Sequence, residues 1–292
     1  MPTDDPGHGI AVLTPCLNFR RYLSDALDSV AAQHPAVEHI VQDGGSTDGT
    51  QDLLEHSPGI DWRSEPDDGQ SDALNRAIQR TTGEWIGWLN ADEFYFPGAL
   101  QALHSVATET GADLVFGDMA EVDEQGRLLR LRPQHPYDAF AMRAFGPHIA
   151  SCAMIVRRSA LPEQPWDPRL RVTMDWDLYL SLSDRDASFA YVPLPVGAFR
   201  RHDAQVTARS DAWKRDAAVL KDTHGVDRAP LRALAGLAVH RTRKLTSGAY
   251  RRQWRARGLR GTDLKWFAGP EGEAGIGALL NRCYPGRRQD GS

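Results

Sequence analysis

The stretch Glu84-Trp85-Ile86-Gly87-Trp88-Leu89-Asn90-Ala91-Asp92-Glu93 narrows the folds open to this chain more than any other. Residues 85–89 are short, apolar and aromatic, as in a strand buried on both faces, and the run stops at Asn90, Asp92 and Glu93. Such a strand delivers polar side chains to the carboxyl edge of its sheet, where open α/β sheets bind ligands. Oxygen donors at that edge fit a hard cation or a polar substrate. A capped strand end followed by the Pro97-Gly98 turn is the plainer alternative.

The same unit recurs along the first 116 residues. Ile10 to Leu13 is an apolar run entering a loop at Thr14-Pro15, and Leu23, Ala26, Leu27 and Val30 then share one helical face. His39 to Gln42 runs into Asp43-Gly44-Gly45-Ser46-Thr47-Asp48-Gly49-Thr50, a loop able to cap a helix over 51–54. A weak strand over 60–64 leads through Glu65-Pro66-Asp67-Asp68-Gly69-Gln70 to a helix over 72–78. Beyond the strand at 85–89 come a helix on Leu100, Leu103 and Ala107 and a strand over 113–116. Strands alternating with helices predict βαβ crossovers and a largely parallel sheet. After residue 117 the pattern changes to a hairpin about Asp123-Glu124-Gln125-Gly126 and an ordered loop over 132–150. A strand over 152–156, a helix on Asp175, Leu178, Tyr179 and Leu182, and two late strands over 189–192 and 196–199 follow.

A chain of 292 residues buries one large core or two small ones. Cys16, Cys152 and Cys283 lie far apart in no metal-ligand spacing, which argues for a reducing compartment. The polar segment from Met1 to Gly9 reads as a disordered N-terminus and not as a signal peptide, and Ala233 to Val239 is too short to span a bilayer. The expected location is the cytoplasm, with the inner face of the membrane as an extension of it. The net charge of -5 conceals a split: residues 210–292 carry 17 of the 34 basic residues and 8 of the 39 acidic ones. An acidic body over 10–209 is therefore followed by a basic helical extension over 210–292, with its own partner. A solvated helix face is the default for Arg251, Arg252, Arg255, Arg257 and Arg260. A peripheral membrane contact is the sharper reading, because Trp254 and Trp266 suit an interface. The acidic body disfavours nucleic acid as a partner.

Asp43, Asp67, Asp72, Asn90, Asp92 and Glu93 fall at or just after expected strand ends, so a parallel sheet gathers them on one edge. Carboxylates gathered in this way repel unless a cation sits among them, and hard divalent metals fit. For each aspartate alone, and for Asp48 and Asp68 above all, a cap or turn role is the simpler account. No G-x-G-x-x-G follows the first strand and no Walker A motif, G-x-S-x-G or H-E-x-x-H occurs, which disfavours dinucleotide oxidoreductases, P-loop enzymes, serine hydrolases and zinc proteases.

Four segments, Thr14-Pro15-Cys16-Leu17-Asn18, 41–50, 64–75 and Trp88-Leu89-Asn90-Ala91-Asp92-Glu93, resemble in order and spacing the successive motifs of the family-2 glycosyltransferases, over roughly residues 8–205. The resemblance implies a GT-A-type α/β fold, with a mostly parallel central sheet flanked by helices, and transfer of a hexose-type sugar from a nucleoside-diphosphate donor with inversion. The halves would be 10–117 for the nucleotide and 118–209 for the acceptor. It also implies that Thr14, Pro15, Asn18, Asp43, Ser46, Asp67, Asp72, Asn90 and Ala91 form the nucleotide-sugar site. Asp92 would stand for the last carboxylate of the D-x-D motif that binds Mn²⁺ or Mg²⁺, with Asn90 in place of the first. Asp175, preceded by Met174 where a glutamate is usual, would be the catalytic base, with Trp176 and His148 on the acceptor side. His202 in Phe199-Arg200-Arg201-His202 would reach the metal, although a lone histidine is as readily structural. A UDP-sugar is the commonest donor in the family, and a carbohydrate or lipid-linked acceptor in cell-surface polysaccharide or glycolipid synthesis is the matching expectation. Two alternatives stand beside it. One is a nucleotidyltransferase, for which Arg20 and Arg21 are present but the glycines are not. The other is an inactive sugar-nucleotide-binding scaffold, for which Asn90 and Met174 speak.

Overall fold

The computed structural model describes residues 9–203, 210–226 and 229–285. The first eight residues of the expected disordered terminus lie outside them, while Gly9 already belongs to the fold, its carbonyl accepting from the Trp85 N–H (2.9 Å). The strands are β1 (Ile10–Cys16), β2 (Glu38–Asp43), β3 (Asp61–Ser64), β4 (Trp85–Trp88), β5 (Phe94–Tyr95), β6 (Leu114–Val122), β7 (Leu128–Arg132), β8 (Met154–Arg157) and β9 (Phe189–Arg200). The helices are α1 (Arg20–Ala31), α2 (Thr50–Glu55), α3 (Gln70–Ile78), α4 (Ala99–Thr110), α5 (Ala139–Ala144), α6 (Met174–Asp184), α7 (Ser210–His224), α8 (Pro230–Thr246), α9 (Ala249–Ala256) and α10 (Pro270–Cys283).

Every residue of β1 and β4 is buried, which is why these two apolar runs occupy the middle of the sheet. The order is β3-β2-β1-β4-β8-β6-β9-β5, with β7 hanging from β6 as its hairpin partner. The pairs among β1, β2, β3 and β4 are all parallel, as the alternation predicts, and the sheet becomes mixed beyond β4, where β8 is antiparallel to both β4 and β6. The chain steps outward from β1 to β2 and β3, then returns to place β4 on the other side of β1. That reversal opens a crevice at the carboxyl ends of β1 and β4.

Three local expectations change. Residues 189–192 and 196–199 form one strand, because Pro193 and Pro195, which have no N–H to give, fall where the β6–β9 register shifts. The loop over 132–150 contains α5, started by Asp138, whose side chain accepts from the Ala141 N–H (2.9 Å). The segment Ser151–Ala153 is a 3-10 turn, so its strand begins only at Met154.

The basic segment is no loose tail. α10 packs Ile276 and Leu279 into one cluster with Phe94, Phe96, Leu131 and Ala256. α8 lies against α5 at Gly236, where a Cβ would come within 2.7 Å of the Ala144 Cβ and 2.8 Å of the Phe145 nitrogen. No other residue allows that approach. On β6, the buried Asp118 carboxylate accepts from Tyr191 (2.6 Å), the Gln134 N–H (2.7 Å), Arg252 (3.1 Å) and Tyr284 (2.7 Å). Body and extension thus share a core.

Candidate active site

The crevice between β1 and β4 is a cleft of about 360 Å³. Most of its walls come from Pro15 and Cys16 at the end of β1, Asp67, Gly69 and Gln70 leading into α3, Asn90, Ala91 and Asp92 after β4, and Arg171, Val172, Met174 and Asp175 leading into α6, with Ser151 and Phe199 among the rest. Pro15, near the end of β1, and Asp175, in the first turn of α6, are 160 residues apart in sequence yet line the same cleft.

Asp175 sits in the first turn of α6, with Oδ1 accepting from the Trp176 N–H (2.7 Å). It keeps some surface because it lines the cleft, yet protein encloses it closely enough that burial pushes its carboxyl up to about 6. The N–H groups of the first turn pull the other way. Asp92 lies across the cleft with its Oδ2 2.8 Å from Nε2 of His202, whose ring rests against Tyr22 (4.9 Å between centroids) and Phe19 (5.8 Å). Burial, and then the neighbouring Asp92 charge, pushes Glu93 up to about 8. The Asn90 side-chain oxygen accepts from Gln70 (2.5 Å) and the Trp88 indole (2.8 Å), so both its lone pairs are engaged. Asp67 accepts from the Gly69 N–H (2.9 Å), and burial raises its carboxyl.

Of the expected site residues, Pro15, Asp67, Asn90, Ala91, Asp92 and Asp175 line this cleft, and His202 joins it through Asp92. The others do not. Thr14 is fully buried and bonds Nε2 of His39 (2.9 Å). Asp43 is also buried, its Oδ2 accepting from the Gly45 and Ser46 N–H groups (3.2 and 2.9 Å) and the Ser64 hydroxyl (2.5 Å), so it organises its own turn. Ser46 donates to Asp43 and accepts from the Asn18 N–H (2.7 Å), while the Asn18 amide oxygen accepts from the Thr47 N–H (2.8 Å). Asp72 accepts from the Asp68 N–H (3.1 Å) and pairs with Arg76 (2.7 Å) on its own helix. On the acceptor side, Trp176 turns inward and its indole donates to the Met142 carbonyl (3.0 Å). His148 is buried away from the cleft, stacked on His135 (4.4 Å) beside His240. Its burial beneath α5 and α8, elements that sequence periodicity did not put there, is why the acceptor expectation fails for it.

Four other residues matter here. Arg171 is the one basic side chain among those lining the cleft, and its guanidinium donates to the Asp68 carbonyl over Gly69. Gly69 has φ of +109°, a left-handed backbone that favours glycine. Arg200 is fully buried, donating to the Asp92 carbonyl (2.9 Å), and pairs with Asp25 (2.6 Å) while its guanidinium lies over Tyr22 and Phe94. Asp216 on α7 is buried, and its Oδ2 accepts from the consecutive N–H groups of Arg171 (3.0 Å), Val172 (2.8 Å) and Thr173 (3.0 Å). It therefore fixes the turn from which Asp175 projects. Nothing local in the sequence marks it.

The Asp92–His202 pair, a carboxylate oxygen and an imidazole nitrogen 2.8 Å apart and hydrogen-bonded to each other, has the donor chemistry to hold a divalent cation. Among the described residues no group of three or more His, Cys, Asp or Glu side chains is arranged to hold a metal unaided. An ion there would complete its shell with oxygens of a bound diphosphate, as Mg²⁺-type sites commonly do. Asn90 adds no charge.

Comparison with known proteins bears on this arrangement. The model of a family described as glycosyl transferase family 2 matches residues 11–163. The chain is 28% identical over 179 residues, 59% of its length and 71% of the other's, to the provisionally named teichuronic acid biosynthesis glycosyltransferase TuaG of Bacillus subtilis (strain 168). It is 32% identical over 178 residues to a PGL/p-HBAD biosynthesis glycosyltransferase of Mycobacterium bovis, covering 57% of this chain and 66% of that one. It thus spans just under two thirds of the mycobacterial protein. Among solved structures, S. aureus TarS 1-349 in complex with UDP-GlcNAc superposes with a TM-score of 0.58 at 16% identity, over 94% of this chain and 81% of that one. Mannosyltransferase PcManGT from Pyrobaculum calidifontis, in complex with GDP-Man and Mn²⁺, superposes with a TM-score of 0.56 at 16% identity, over 95% and 88%. At that identity the shared property is the fold.

Proposed function

The chain belongs to glycosyl transferase family 2 and has the GT-A fold, and from that premise we propose that it moves a sugar, with inversion, from a nucleoside-diphosphate donor to an acceptor hydroxyl. The observation that carries this reading is that one cleft is lined by both Asp175 and the Asp92 of the Asp92–His202 pair. A base and an anion-binding edge are the two things that an inverting displacement needs.

In the reaction, the acceptor oxygen attacks the anomeric carbon from the side opposite the diphosphate. A carbon–oxygen bond forms, the bond to the diphosphate breaks, and the hydroxyl proton passes to Asp175. The Trp176 N–H engages Oδ1 of Asp175, which leaves Oδ2 to take that proton. With its carboxyl near 6, Asp175 is ionised at neutral pH yet more basic than an exposed aspartate, and a base so positioned contributes about 10²–10⁴-fold. Pro15, Asp67, Asn90 and Ala91 would bind the donor directly. Thr14, Asn18, Asp43, Ser46 and Asp72 would act by shaping the loops that hold it. Arg171 would meet phosphate charge as the diphosphate departs. Mn²⁺ or Mg²⁺ held by Asp92 and His202 would supply Lewis-acid neutralisation of that charge. A UDP-sugar is the first donor to try, and relatives named for teichuronic acid and PGL/p-HBAD biosynthesis support a cell-surface carbohydrate or glycolipid acceptor.

Incubating the protein with a panel of nucleoside-diphosphate sugars, with and without Mn²⁺, tests this. We expect release of the nucleoside diphosphate from one donor, stimulated by the cation, and a loss of about 10²-fold or more in kcat for Asp175→Asn. Product NMR should give the anomer opposite to the donor's. Tight nucleotide binding with no turnover of any donor, unchanged in Asp175→Asn, would instead favour a sugar-nucleotide-binding scaffold.

A further inference from the structure

Helix α8 wears its apolar side outward. Leu231, Leu234 and Leu245 are 83%, 63% and 69% exposed, and with Ala235 and Ala238 they fall on one face of the helix. The helix cannot rotate to hide them, because its other face is taken. Gly236 is pressed on Ala144, His240 Nδ1 lies 2.9 Å from Nε2 of His135, and Arg243 pairs with Asp138 (3.0 Å). On α9, Tyr250 and Trp254, one turn apart, are 40% and 68% exposed.

The charge of this region names the partner. From residue 229 to 262 there are nine Arg and Lys and no Asp or Glu. Arg243 and Arg252 pair with Asp138 and Asp118, while Arg232, Arg241, Arg251, Arg257 and Arg260 stand exposed. We propose that the outer face of α8, continued by Trp254, docks this protein on an anionic lipid bilayer. The leucines enter the headgroup and acyl boundary, the arginines meet lipid phosphates, and the tryptophan sits at the interface. A second copy of the chain would bring two such cationic segments face to face, and a nucleic acid would leave the leucines in water. No helix among the described residues is long and apolar enough to cross a membrane, so this contact lies in the membrane plane.

Co-sedimentation of the full chain with vesicles of phosphatidylcholine alone or with about 30% phosphatidylglycerol added, enough for a strongly negative surface, tests the proposal. We expect at least about tenfold stronger binding to the anionic vesicles, weakened by raised salt. The triple variant Leu231→Ser, Leu234→Ser, Leu245→Ser should lose about tenfold or more of it, as should Arg232→Glu with Arg241→Glu. Circular dichroism and hydrolysis of a soluble donor should stay at wild-type levels in both, since these side chains point to solvent. Binding equal on both vesicle types, or unmoved by the leucine variant, overturns it. So does a fall in molar mass in that variant by light scattering, which would make the face a protein–protein contact.

Discussion

Asp175 meets two opposed demands. As the proposed base it must be ionised, yet enclosure by protein favours its neutral form. Two outcomes follow from its carboxyl lying near 6. The kcat/KM profile should fall below about pH 6 with unit slope, and Asp175→Asn should remove that limb together with most of the activity. Stability should respond in the opposite sense. The unfolded aspartate titrates near 3.8, so between about pH 4 and 6 the folded state binds the extra proton and loses stability as pH rises. Asp175→Asn should therefore be more stable than wild type by about 1–3 kcal/mol at pH 7.5, and no more stable at pH 4, as thermal melts would report. Only the family resemblance singled this residue out in the sequence, since α6 is buried on nearly every side and its pattern marks no one carboxylate. It did not separate Asp67, which faces the cleft, from Asp43, which bonds its own turn. Both follow strands, and only the loop geometry distinguishes them. The Asp43-x-x-Ser46 spacing, an Asx-turn signal, was the available hint.

The helix that carries Asp175 is set by an element far away in sequence. Three successive N–H groups converge on the Asp216 carboxylate, each bond of the charge-assisted kind worth about 1.5–3 kcal/mol. Asp216→Ala strands those donors and frees the turn before α6. It should lower kcat by about 10–100-fold while leaving donor KM within about threefold, and Asp216→Asn, which keeps an acceptor oxygen, should recover part of kcat. A purely global loss of stability would lower apparent kcat through active-enzyme concentration, leave KM unchanged and show in active-site titration, whereas the positioning role predicts a lower kcat per titrated site. Element order was readable from periodicity up to β6, where strands and helices alternate, except for the two-residue β5, too short to leave a pattern. It was less readable beyond, because β9 carries two prolines in a register shift and α5 is only six residues long. Pairings such as β4 with β8, 70 residues on, leave no local trace.

At the scale of the molecule, the C-terminal helices close over buried histidines. His135 and His148 pack against the half-buried His240 of α8, and burial lowers all three, His240 to about 4. Their unfolded counterparts accept protons near 6.5, so the unfolded state binds more protons as pH falls from there toward 4, and stability declines over that window. His39, buried and lowered to about 3, adds to this trend, while Asp175 and Glu93, raised to about 6 and about 8, oppose it. The melting temperature should drop by about 5 °C or more between pH 7 and pH 5, and limited proteolysis should cut first around α8. His148→Phe, which keeps a stackable ring without a titrating nitrogen, should flatten that drop. The sequence gives the charge split between body and extension plainly, but not that the two are fused, since the joining residues are single polar groups such as Asp118.

That aspartate also sets a schedule. Tyr284, one of its partners, follows it by 166 residues, so at the usual 5–20 residues per second a ribosome needs roughly 8–33 s to deliver the one after the other. During that interval the carboxylate has only its nearer partners, the Gln134 N–H and then Tyr191, and the neutralising guanidinium of Arg252 follows it by 134 residues.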